Sequence, residues 1–155
     1  MKRLLLVILS VLSISSCTKC IDWIPVTFKI LVQDEQGKDL LDPANDNSWL
    51  AGTELSFRGI TVELDETGIG SPATKVLPAI YEGFRLLKGT DCYYLAFGEF
   101  AGGTDYDDEE ICIYWGDGAF NRITYSRKIN NLTVAAKETI KLDGVKCSNP
   151  IVIVK

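Results

Sequence analysis

The stretch Gly102-Gly103-Thr104-Asp105-Tyr106-Asp107-Asp108-Glu109-Glu110 gathers more carboxylates than any other part of the chain, and Asp105, Asp107 and Asp108 could offer oxygen ligands to calcium. It lacks the alternating Asp order and the late bidentate Glu of an EF-hand loop. The simpler reading is a solvated connection between two strands, whose charges discourage edge pairing. Asp39, Asp42, Asn45 and Asp46 form a second oxygen-rich segment, and there too the residue types suit ordinary turns. Cys17-Thr18-Lys19-Cys20 has the spacing of a redox or zinc pair. No second C-x-x-C and no histidine accompany it among the 155 residues. The missing histidine also excludes Ser-His-Asp and Cys-His nucleophile systems within the chain. No enzyme and no cofactor are expected, with a paired-carboxylate hydrolase as the catalytic alternative.

The elements around these residues begin with Lys2, Arg3 and the apolar run Leu4–Leu12. Spanning a bilayer core takes roughly 20 apolar residues, so this run reads as a cleaved signal segment. The four residues Ile14-Ser15-Ser16-Cys17 resemble the lipobox of bacterial lipoproteins. The resemblance implies removal of residues 1–16, diacylation of Cys17 on sulfur, and acylation of its new amine. Several buried acyl chains hold a protein far more firmly than one. Cys17 is therefore expected to carry lipid, which breaks the C-x-x-C pair.

Without residues 1–16, 139 residues remain (155 less 16), one domain's worth. They carry 14 basic side chains (16 less Lys2 and Arg3) against 21 acidic ones. That balance argues against nucleic acid and against direct docking on anionic lipid. Cys20, Cys92, Cys112 and Cys147 are then left, an even number that in an oxidising compartment implies two disulfides with three connectivities. Cys92–Cys112 with Cys20–Cys147 is favoured because the second bridge would join the ends of the domain. Against it, matching Leu95 with Ile113 and Phe97 with Ile111 places Cys92 opposite position 116, about four residues from Cys112.

Turn residues recur every 8 to 12 positions between short β-branched and aromatic runs, and no helical period stands out. Val26, Phe28, Ile30 and Val32 share one face of a first strand, which Asp34-Glu35-Gln36-Gly37 ends. Arg58-Gly59 reads as a two-residue hairpin loop that sets Phe57 opposite Ile60 and Leu55 opposite Val62. Further strands are expected around Ile80–Leu87, Cys92–Phe97, Ile111–Trp115, Arg122–Ser126, Leu132–Ala136, Thr139–Leu142 and Ile151–Lys155. The fold expected is all-β: a two-sheet antiparallel sandwich of immunoglobulin-like type, with a small barrel as the alternative. Residues 17–25 form a lipidated tether and 26–155 the single domain.

Gln36-Gly37-Lys38-Asp39-Leu40-Leu41-Asp42-Pro43, the Arg-Gly hairpin, Tyr114-Trp115-Gly116-Asp117-Gly118 with Ile123 and Tyr125, and the closing Ile151-Val152-Ile153-Val154-Lys155 resemble small, mostly uncharacterised lipoproteins of Bacteroidota. The resemblance implies a sandwich domain at the outer membrane and carries no catalytic residues. In that phylum, surface-exposed lipoproteins often have acidic residues directly after the lipidated cysteine. Here Thr18-Lys19-Cys20-Ile21 precede Asp22, so periplasm-facing and surface-exposed placements both stay open.

The function expected is a non-enzymatic, lipid-anchored binding or scaffold module of the cell envelope with a protein partner. Tyr94 and Tyr114, opposite the presumed core face, are the candidate partner surface. A glycan-binding or glycan-processing accessory, stacking sugars on Trp49 or Trp115, is one alternative. A calcium-stabilised adhesin is the other.

Overall fold

The computed structural model describes residues 26–66, 83–130 and 135–155. Their strands are β1 (Val26–Gln33), β2 (Glu54–Phe57), β3 (Ile60–Glu63), β4 (Phe84–Lys88), β5 (Tyr93–Phe100), β6 (Tyr106–Tyr114), β7 (Phe120–Asn130), β8 (Ala135–Leu142), β9 (Val145–Cys147) and β10 (Ile151–Val154). They form a four-stranded sheet ordered β10-β1-β5-β4 and a six-stranded sheet ordered β3-β2-β6-β7-β8-β9. Neither closes on itself, so the fold is a sandwich and not a barrel. All neighbouring strands run antiparallel except β1 and β10, which pair in parallel from Ile30↔Ile151 to Gln33↔Val154.

Period-2 alternation decides which face of each strand is buried. In β1, Phe28, Ile30 and Val32 point inward while Lys29 faces out. Ile151 and Ile153 of β10, and Leu95 and Phe97 of β5, extend that apolar layer. Leu55, Ile111, Ile113, Ile123 and Tyr125 supply the opposing layer from the six-stranded sheet. Rings join the two layers edge to face: Phe28 meets Tyr125 at 5.1 Å and Phe57 meets Phe97 at 5.4 Å.

The expected hairpin forms with the expected register, Phe57↔Ile60 and Leu55↔Val62. Its loop needs positive φ at both residues, and Arg58 (51°) and Gly59 (78°) supply it. Ile60 departs from the pattern. It sits on the outermost strand at 66% exposure, beyond the reach of the opposite sheet.

Three expectations need correction. The strands taken to lie opposite each other at Leu95/Ile113 belong to different sheets, because β5 pairs with β1 and β4 whereas β6 pairs with β2 and β7. Cys92, in the turn just before β5, and Cys112, on β6 of the other sheet, are free thiols, and the structure holds no Cys92–Cys112 bridge. Cys147 is also a free thiol on β9, while Cys20 lies outside the described residues. Finally, the acidic stretch is mostly strand: β6 begins at Tyr106, leaving residues 101–105 as the turn. Cys17, the lipobox, the tether and Ile80 also lie outside the described residues.

Residues 34–53 link the sheets, and the carboxylates of Asp34, Asp39 and Asp42 cap backbone N–H groups there. Asp34 Oδ1 accepts from the N–H groups of Gln36 and Lys38. Asp39 accepts from Leu41 N–H through Oδ1 (2.8 Å) and from Tyr93 N–H through Oδ2 (2.7 Å), tying the link to the start of β5. Asp42 Oδ1 accepts from Ala44 N–H.

Candidate functional site

The outer face of the six-stranded sheet carries the largest share of the residues singled out in the sequence. Along β6 and β7 the outward pairs are Glu110↔Thr124, Cys112↔Arg122 and Tyr114↔Phe120, with Ser56 of β2 next to Cys112. Tyr114 and Phe120 are 43% and 52% exposed, their ring centres 6.0 Å apart. Towards the other end lies a shallow depression of about 400 Å³ bordered by Ser56, Arg58, Asp108, Glu109, Glu110 and Cys112.

Arg58 closes one side of that depression. Its guanidinium grips Glu109 with two parallel hydrogen bonds, Nε to Oε2 at 2.9 Å and Nη2 to Oε1 at 2.6 Å, and lies 4.8 Å from the Phe57 ring centre. The hydrogen bond from Arg58 holds the Glu109 carboxyl below its ordinary value, against partial burial, and the guanidinium's charge adds to the effect.

A kink in β6 distributes the other acids. The register shifts between Tyr106 and Glu109, with Asp108 at φ 47°. Tyr106 thereby points into the core, 4.9 Å from Phe100, and its hydroxyl accepts from Ala101 N–H at 2.8 Å to close the turn. The calcium candidates do not converge. Asp105 Oδ1 accepts from Ile129 N–H, Asp108 Oδ1 from the Ser126 hydroxyl, and Asp107 faces Lys128 at 4.0 Å. Each oxygen set answers a different donor of β7, and among the described residues no three acidic or thiol groups are arranged to hold a metal.

Tyr94 and Tyr114 are likewise kept apart. Tyr94 faces out from the four-stranded sheet, with the Lys29 ammonium 4.5 Å over its ring. The sandwich separates it from Tyr114, so the two tyrosines cannot form one surface. Nor does Trp115 offer an open face to a sugar: it is 2% exposed, with the Lys155 ammonium 4.5 Å from its ring centre.

A buried polar cluster at the inner side of β7 has no counterpart in the sequence reading. Arg127 is 4% exposed on the core face, opposite Glu138 of β8. The Tyr125 hydroxyl donates to Glu138 Oε1 at 3.1 Å, and Arg127 Nη1 lies 3.3 Å from the same oxygen. The alternation Ile123-Tyr125-Arg127 was a signal that Arg127 shares the buried face. Burial, reinforced by the Glu138 charge and hydrogen bond, pushes the Tyr125 phenol up to about 12. An unfolded tyrosine titrates near 10. The folded state therefore holds an extra proton between pH 10 and 12, and its contribution is complete below pH 10 and lost as pH rises to 12. The loss is on the order of 2 kcal/mol. Urea denaturation at pH 9 and 11 should show about half of this fall in the wild type and a smaller one in Tyr125→Phe, and equal falls would refute it.

No family model matches the chain, and neither a curated protein nor a solved structure matches it. The residues themselves are the basis for any functional reading.

Proposed function

We propose that the protein is a non-enzymatic binding module of the cell envelope, anchored by lipid at Cys17, which contacts a protein partner through the outer face of its six-stranded sheet around Tyr114 and Phe120. The observation that carries this reading is the exposed Tyr114–Phe120 pair, two large rings side by side on an otherwise charged face. Aromatic side chains are enriched at the centres of protein interfaces, ringed by polar groups. Glu110 with Arg122, and Arg58 with Glu109, supply such a rim. The lipobox-like Ile14-Ser15-Ser16-Cys17 supports the anchor, and the lack of histidine supports a role without nucleophilic catalysis.

Two experiments test the reading separately. Cys17→Ser should move the protein from the membrane pellet to the soluble fraction, and unchanged sedimentation would remove the anchor. A photo-crosslinking residue at Tyr114 should give a discrete adduct in intact cells, whereas one at Lys88 on the other sheet should not. No adduct at 114, or the same pattern at both sites, would remove the docking face.

A further inference from the structure

Lys155 follows β10 with its backbone N–H donating to the Gln33 carbonyl at 2.9 Å, so its backbone is held independently of its four-carbon side chain. That side chain ends between two indoles. Its Nζ lies 4.6 Å from the Trp49 ring centre and 4.5 Å from that of Trp115, and the rings stand at 85° to each other with centres 5.9 Å apart. Two perpendicular π faces sharing one ammonium make an aromatic cage. The negative charges of Asp117 and Asp143 act on the same ammonium.

The walls of this cage are held by contacts that do not involve Lys155. Trp115 Nε1–H donates to Asn121 Oδ1 at 2.8 Å, and Asn121 Nδ2 donates to Asp143 Oδ2 at 2.7 Å. Trp49 N–H donates to the Leu40 carbonyl, and the Trp49 carbonyl accepts from the Thr53 hydroxyl. The two backbone segments abut directly, since a Cβ on Gly116 would lie 2.2 Å from the Ala51 oxygen. The cage is thus built into the fold, and the lysine is an occupant.

We propose that the Trp49–Trp115 cleft is a binding site for a methylated ammonium group, and that Lys155 is a tethered occupant which such a ligand displaces. The chemistry favours methylation. Burial pushes the Lys155 ammonium below the ordinary lysine value, against the pull of the two aspartates, which is the cost of stripping water from a strongly hydrated –NH₃⁺. A methylated ammonium has less hydration to lose and offers apolar surface to both rings while keeping the charge. A tethered side chain competes at a high effective concentration, so the site in the wild type is weak until that side chain moves. Trp115 is buried while its neighbour Tyr114 faces outward, so this site opens on the other side of the chain from the Tyr114–Phe120 face and stands whether or not that face binds a partner.

The test follows the Trp49 and Trp115 indole N–H resonances of the full chain during titration with tetramethylammonium, with neutral 3,3-dimethyl-1-butanol as the isostere. Lys155→Ala should bind tetramethylammonium at least tenfold more tightly than the wild type. Adding Trp49→Ala should abolish the response, and the neutral compound should bind at least tenfold more weakly. A folded Lys155→Ala with no saturable shift, or with equal affinity for the neutral compound, overturns the proposal. Should Lys155→Ala fail to fold, the wild type decides: both indole resonances should move at high tetramethylammonium and stay still with the alcohol, and any other result overturns it.

Discussion

Replacing Phe100 with alanine is expected to destabilise the domain by about 4 kcal/mol, the middle of the range for a buried aromatic. Phe100 is fully buried and touches rings from four other strands: Phe28 at 5.4 Å, Phe57 at 5.1 Å, Tyr106 at 4.9 Å and Tyr125 at 4.9 Å. Those rings come from both sheets, so collapse into the void from one side would pull contacts apart on the other. Domains of this kind are typically stable by about 5–15 kcal/mol, so the loss is a large part of the whole. The melting temperature should fall on the order of 12 °C. Phe120→Ala, which removes an equal ring from the outer face, should cost less than about 1 kcal/mol. Chemical denaturation of the pair is the check, and similar midpoints for the two variants would contradict this account of the core.

The second large effect is expected from the smallest change, Gly116→Ala. The added Cβ would lie 2.2 Å from the Ala51 oxygen, and a Cβ on Gly52 would lie 3.1 Å from the Gly116 Cα. Both neighbours are backbone, so neither can rotate away. The segments bearing Trp49 and Trp115 would have to separate by about an ångström, a form of overpacking that typically costs 1–3 kcal/mol and occasionally more. We expect about 3 kcal/mol, together with a shift in tryptophan emission as the indoles part. Gly118 is the comparison. It has φ +85° but open space around it, so Gly118→Ala carries only the left-handed backbone penalty of about 1–2 kcal/mol. If Gly116→Ala melted within a degree or two of the wild type, the close approach of these segments would be wrong.

What could be read in the sequence was whatever depends on near neighbours. The Arg58-Gly59 hairpin was legible because its turn chemistry and the alternation Leu55-Phe57 and Ile60-Val62 point to one register. The inward residues of β1 followed from the same period. Alternation, however, reports a face and never a partner. Nothing in Tyr93–Phe100 announces that it pairs with β1, 65 positions before it at Ile30↔Leu95, and not with the strand that follows it. The acids of Asp107–Glu110 looked like loop because strands are poor in them. They are tolerated because Arg122, Lys128 and Lys141 on neighbouring strands face them. The cage around Lys155 was invisible for the same reason, since Trp49, Trp115 and Lys155 meet only after the sheets have formed.

The parallel pairing of β1 with β10 also has a mechanical consequence. Over Ile30–Gln33, β1 is bonded to β10, and over Val26–Ile30 to β5. Asn149 prolongs the β10 side, accepting from Lys29 N–H and donating to the Thr27 carbonyl. A pull on the chain that enters at Val26 therefore falls on an interior strand bonded along both edges. The β5 ladder holds its first half and the β10 ladder its second, so the strand cannot leave by shedding one neighbour alone. Freeing that entry therefore means breaking both ladders and the two Asn149 hydrogen bonds.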